Sequence, residues 1–160
     1  MKQTPLEKIF WSIALPGFGQ LLNGKIVKGL IFITAEFIIN VKANLNQVII
    51  YSFHGDMQMA IAETNYLWLM FYPCVYMFAI WDAYRDAGGG RNPYSFLPFV
   101  FSAYFGTIGL IYSSNLRILG LLIGPVFLPI IFFVIGACIG LAIIAIIQHM
   151  KKGAGTKPSN

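Results

Sequence analysis

Long apolar runs separated by short polar breaks set the pattern of this chain. Thr4-Pro5-Leu6-Glu7 reads as a helix start, with Thr4 as N-cap, Pro5 at the first helical position and Glu7 closing a capping box. Leu6, Ile9, Phe10 and Ile13 then fall on one helical face, with Trp11 beside it. The spacing predicts a helix over 5–15, too short at ~1.5 Å per residue to cross a ~30 Å hydrocarbon core. Pro16, Gly17, Phe18 and Gly19 end or kink it, and residues 20–24 turn back. The segment 5–24 reads as an interfacial or re-entrant element. The alternative is a thin, broken span over 9–22.

Four longer runs follow. Residues 26–53 form the first, carrying Glu36, Asn40, Asn44 and Gln47 at offsets of 4, 8 and 11, a polar stripe on one helical face. A polar connection covers 54–64. Residues 65–82 form the second run, with Pro73 in mid-span as a kink. The loop DAYRDAGGGRNP occupies 82–93, and the third run is 94–113. Ser114–Leu116 make a tight turn before Arg117. The last run, 118–147, would measure ~45 Å as a straight helix, so Pro125 and Pro129 are expected to split or bend it. Residues 1–150 read as one integral membrane domain and 151–160 as a flexible cytoplasmic tail.

Composition makes the runs membrane spans rather than core helices. The chain is 58% hydrophobic and 11% charged, against about 25% charged residues in soluble domains. Its 14 Phe, 8 Tyr and 3 Trp suit lipid-facing and interfacial positions. The fold class expected is all-α: a polytopic helical bundle of four spans plus the N-terminal element. The N-terminus does not read as a cleavable signal, because Glu7 interrupts the basic start and no small-residue cleavage site follows.

Basic residues orient the bundle. With residues 5–24 re-entrant and the N-terminus inside, Lys2, Lys8, Lys25, Lys28, Arg85, Arg91, Lys151, Lys152 and Lys157 are cytoplasmic, and Lys42 and Arg117 are outside. That split follows the positive-inside rule and leaves both termini cytoplasmic. The net charge of +5 is thereby used, and no basic stripe with interleaved aromatics points to nucleic acid.

Candidate chemistry is sparse. A carboxylate within a span is costly and often marks an ion or proton path, so Glu36 heads a candidate intramembrane polar site with Asn40, Asn44 and Gln47. Its structural reading is a hydrogen bond to a facing polar group such as Gln20 or Asn23. Asp82, Arg85 and Asp86 read as a solvated interfacial ion-pair cluster and a candidate cytoplasmic contact. His54 and Asp56 read as a solvated loop. Gly120-x-x-x-Gly124 and Gly136-x-x-x-Gly140 are spaced for close helix packing, within the chain or between copies. Cys74 and Cys138 read as small hydrophobes. No nucleophile–base, phosphate-loop or metal-ligand pattern appears, so neither catalytic, cofactor nor metal residues are assigned.

LPGFGQ at 15–20, Asn23-Gly24, Lys28-Gly29 and WDAYRDA at 81–87 together resemble the two-transmembrane-helix domain family of small, mostly uncharacterised bacterial membrane proteins. The resemblance covers about residues 11–87. It departs by a long polar-striped segment between the motifs and two further spans after them. It implies location and a helical hairpin, and little about activity. The expected role is a non-enzymatic accessory or scaffold subunit of a bacterial cytoplasmic-membrane complex, partnered by lipid and by another membrane protein or a second copy. A small transporter or channel component using the Glu36 stripe is the alternative.

Overall fold

The structure is a computed structural model describing residues 4–154. Lys2, Lys157 and the tail beyond Ala154 lie outside the described residues. The fold is all-α apart from one small hairpin. Its elements are α1 (Pro5–Ala14), α2 (Phe18–Leu22), α3 (Ile26–Ala43), α4 (Leu45–Phe53), α5 (Met57–Glu63), α6 (Tyr66–Leu69), α7 (Tyr72–Asp86), α8 (Leu97–Tyr112), β1 (Arg117–Ile118), β2 (Leu121–Leu122) and α9 (Gly124–Ala154).

Helix α1 starts as its sequence dictates: Thr4 Oγ1 accepts from the Glu7 N–H at 3.3 Å, and Pro5 opens the first turn. Its faces are the reverse of a soluble helix. Lys8 and Ser12 are buried, while Leu6, Phe10, Trp11 and Ile13 are exposed. Gly17, at φ 106°, turns the chain into α2. The Tyr76 hydroxyl donates to the Ile13 carbonyl, and Gly19 packs among Ser12, the Lys8 carbonyl and Ala83. Helix α1 therefore runs against α7, and α2 returns toward the Asp86 end.

The run 26–53 is not one helix. Helix α3 stops at Ala43, and Asn44 takes a left-handed conformation at φ 57°. Asn and Asp tolerate that region better than other non-glycine residues. Residues 44–64 then make an excursion, α4 and α5, that closes on itself. The Asn65 N–H donates to Ala43 O, and Asn44 Nδ2 donates to Glu63 O. The excursion packs on the start of α9, with Phe53 against Phe127 and Met57 against Gly124. The connection expected over 54–64 thus contains helix α5, capped by Asp56, whose Oδ1 accepts from Met59 N.

Pro73 does not kink a span. It sits in the first turn of α7, after a break at Met70–Phe71 that separates α6 from α7. Between α8 and α9 the chain forms an antiparallel hairpin pairing Arg117 with Leu122 and Ile118 with Leu121. Leu119 and Gly120, both at positive φ, make its turn. The last apolar run therefore becomes helical only at Gly124. Pro125 falls in the first turn, and α9 runs unbroken past Pro129 through Lys151 and Lys152 to Ala154, so residues 151–154 are helical and not tail.

Helices α8 and α9 form the tightest pair. Gly106 and Gly109 receive the rings of Phe133 and Phe132, while Gly136 and Gly140 lie on the backbone of Phe101–Ser102 and Pro98. Gly136 and Gly140 thus pack helices within the chain. Gly120 does not, since it lies in the hairpin turn with open space around it, and Gly124 opens α9 against Met57 of α5 and not against α8. Gly124–Lys152 is, among the described residues, the one helical stretch long and apolar enough to cross a membrane unaided. Only 11% of its most apolar window is buried, unlike the core helix of a soluble domain. Helix α3 carries Lys28, Glu36 and Lys42, and α7 and α8 have 15 and 16 residues.

Candidate functional site

The two ends of the motif segment meet at the Asp86 end of the bundle. Close approach requires Gly17, Gly19 and Gly29. A Cβ on Gly17 would collide with the Gly29 carbonyl and Ile33, and one on Gly29 would collide with Leu21. With α2 wedged between α1, α3 and α7, Gln20 is fully buried and its Nε2 donates to Ala79 O at 2.7 Å and to Asp82 Oδ2 at 3.3 Å. Asn23 Nδ2 donates to Ala83 O at 2.8 Å. One turn further, Lys28 Nζ donates to Asp82 Oδ1 at 2.8 Å and Asp86 Oδ2 at 2.9 Å. Arg85 Nη2 stands 3.5 Å from Asp82 Oδ1.

Asp82 is thus a buried carboxylate that accepts from an amide and a lysine, with an arginine at the rim. The solvated surface pair expected for Asp82 and Arg85 is corrected on this point: the Asp82 side chain is 5% exposed and its shortest contact is Lys28. Burying a charge is tolerated when it is paired and hydrogen-bonded, and Asp82 is both. The cluster clamps α2 and α3 to α7. In the sequence Lys28 reads as a flanking topology charge and, with Gly29, as part of the motif opening; the i,i+4 spacing of Asp82 and Asp86, two carboxylates on one helix face, is the signal for its ion pairs.

Gln20 and Asn23 do not meet Glu36. Glu36 is buried midway along α3, facing Tyr72 of α7. Its Oε2 has no partner. The stripe drawn from Glu36 does not continue as a helical face, because α3 ends before Asn44. Asn40 bonds Asn46, Asn44 bonds the Glu63 carbonyl, and Gln47 is exposed on α4. Asn40 stays one turn from Glu36 on α3, while Asn44 and Gln47 leave that face.

Ser12 Oγ and Gln20 Oε1 are also buried without partners, beside the clamp. Among the described residues no three His, Cys, Asp or Glu side chains gather into a group able to hold a metal ion. His54 ends α4 at the surface, and the thiols of Cys74 and Cys138 are free and exposed. Comparison with protein-family models, curated proteins and solved structures found no match to this chain.

Proposed function

We propose that this chain is a multi-pass integral protein of a bacterial cytoplasmic membrane, serving as a non-enzymatic accessory or scaffold subunit of a membrane complex. The observation that carries the membrane part is the inverted distribution of its side chains. Lys8, Ser12, Gln20, Glu36, Ser52, Asp82, Ser102 and Ser113 are buried, while large apolar side chains such as Val27, Phe37, Leu67, Val134 and Leu141 are exposed. Water would punish that exposed surface, and lipid would not. In this reading α3, α6 with α7, α8 and α9 are the four crossings, and α1–α2 is a re-entrant hairpin that begins and ends on the cytoplasmic side. The resemblance to two-transmembrane-helix domains then corresponds to α3 and α6–α7, fastened by the Lys28–Asp82 clamp.

The scaffold role rests on small polar loops and on buried polar groups spent in fastening helices to one another. Purification from native membranes in a mild detergent tests it: a stoichiometric partner is the expected result, and a clean monomer sinks it. A small transporter or channel component is the second reading, favoured by the unpartnered Glu36 Oε2 inside the bundle. Flux in liposomes that Glu36→Gln alters would support it; flux no higher than in empty vesicles removes it.

A further inference from the structure

A cavity of about 640 Å³ lies inside the bundle, between α1, α4, α7, α8 and α9. Interiors are normally packed with few voids larger than a water, and an empty volume of this size would leave its walls without dispersion partners. It falls within the ~300–1,000 Å³ range of pockets that hold small ligands.

The walls say what kind. Three polar side chains reach them, Tyr72, Tyr76 and Ser102. Two of them donate within the protein, the Tyr76 hydroxyl to Ile13 O at 2.7 Å and Ser102 Oγ to Phe133 O at 2.9 Å, and Tyr72 stands beside Glu36. The remainder of the lining is aliphatic, aromatic or thioether. An occupant would meet an almost wholly apolar wall, with the Tyr76 and Ser102 protons already donated, so the lining suits a hydrocarbon. A polar ligand would lose its own hydrogen bonds on entry.

The mouth says where it comes from. Ile13, Ile130 and Val134 both line the cavity and stand exposed on the outer apolar surface, so the two surfaces are continuous. A helix ~10 Å across would use up this volume in about 8 Å of its length, which excludes a spanning segment of another protein. We infer that the cavity holds an acyl chain of a bilayer phospholipid, entering between α1 and α9. The inference rests on the membrane reading above.

The test reconstitutes the full chain in phosphatidylcholine–phosphatidylglycerol vesicles doped with a phosphatidylcholine carrying a diazirine near the end of one acyl chain. After irradiation the labelled residues are mapped by peptide mass spectrometry. Leu69, Ile80 and Leu110 line the cavity but are closed to the outer surface, whereas Phe37 and Leu67 face outward and do not line it. Labelling of Leu69, Ile80 or Leu110 is expected. Labelling confined to positions such as Phe37 and Leu67 overturns the cavity inference and leaves the membrane reading standing. Recovery of an unlabelled chain outside the vesicles overturns both. Ala137→Phe, which projects a ring into the cavity, should abolish labelling at Ile80 while leaving Phe37 labelled; unchanged labelling at Ile80 counts against the site.

Discussion

Lys28 and Asp82 are 54 residues apart in the chain and 2.8 Å apart in space. That one contact joins the glycine-rich opening of the molecule to the acidic end of α7, and Asp86 shares the same ammonium. Because Asp82 is buried and Lys28 is partly solvated, the two partners are unequal. Removing the lysine strands a buried charge; removing the rim carboxylate does not. Lys28→Met is expected to cost ~2–3 kcal/mol of stability and Asp86→Asn under ~1 kcal/mol. In thermal unfolding in one detergent, Lys28→Met combined with Asp82→Asn should lose less than the sum of the single changes. Equal losses from Lys28→Met and Asp86→Asn would contradict this account.

Gly19 should be far less replaceable than Gly24. An added Cβ would lie 2.6 Å from Ala83 Cβ and 2.9 Å from the Lys8 carbonyl, neither of which is a flexible side-chain end. Gly19→Ala is expected to cost ~2–3 kcal/mol through overpacking. Gly24→Ala meets open space and bears only the strain of φ 73°, about 1 kcal/mol. Melting temperatures of the two variants check the order, and a Gly24 variant weaker than the Gly19 one would reverse it.

In the α8–α9 pair, Gly136→Ala forces a Cβ onto the Phe101 carbonyl. The helices must separate, and stability should fall by ~1–3 kcal/mol. Gly120→Ala in the hairpin turn should leave α8–α9 packing intact. A distance measured by paired spin labels on α8 and α9 should lengthen in the first variant and not in the second.

Tyr72→Phe removes the hydroxyl that faces Glu36 inside the bundle, where Glu36 Oε2 already lacks a partner. A loss of about 1–3 kcal/mol is expected. Adding Glu36→Leu to Tyr72→Phe should recover part of that loss, since the stranded group is gone. No recovery in thermal unfolding would mean that Glu36 is not held by Tyr72.

A re-entrant α1–α2 places exposed Thr4 and exposed Lys25 on one side of the membrane and Asn115 on the other. Cysteines at positions 4 and 25, in a background lacking Cys74 and Cys138, should label together from the cytoplasmic side, and position 115 from outside. Labelling of 4 and 25 from opposite sides would replace the re-entrant element with a crossing.

What could be read in the sequence was local. Thr4, Pro5 and Glu7 announce α1, and Pro16 to Gly19 announce its end, because caps and breakers act on the neighbouring few residues. The break at Asn44 is not marked by glycine or proline, and Asn44 and Gln47 fall at helical offsets from Glu36, so the run reads as one helix. The hairpin at Arg117–Leu122 escaped for a similar reason: RILGLL fits helix or strand, and only Leu119 and Gly120 together make the turn. Partners were the least legible. Periodicity puts Glu36 on a polar stripe and Gln20 falls in the polar turn after Gly19, but which faces meet depends on the register of α2 and α3 on α7. That register is set by close contacts at Gly17, Gly19 and Gly29, invisible in a polarity pattern.

The Asn65 N–H and the Ala43 carbonyl close the base of the 44–64 excursion. The chain leaves α3 and re-enters α6 at nearly the same point, so those residues are topologically an insertion. Helices α3 and α6–α7 could be spliced through a short turn without moving either one. The excursion can therefore change in length or vanish among related chains while the hairpin beneath it, and the Lys28–Asp82 clamp at its far end, stay as they are.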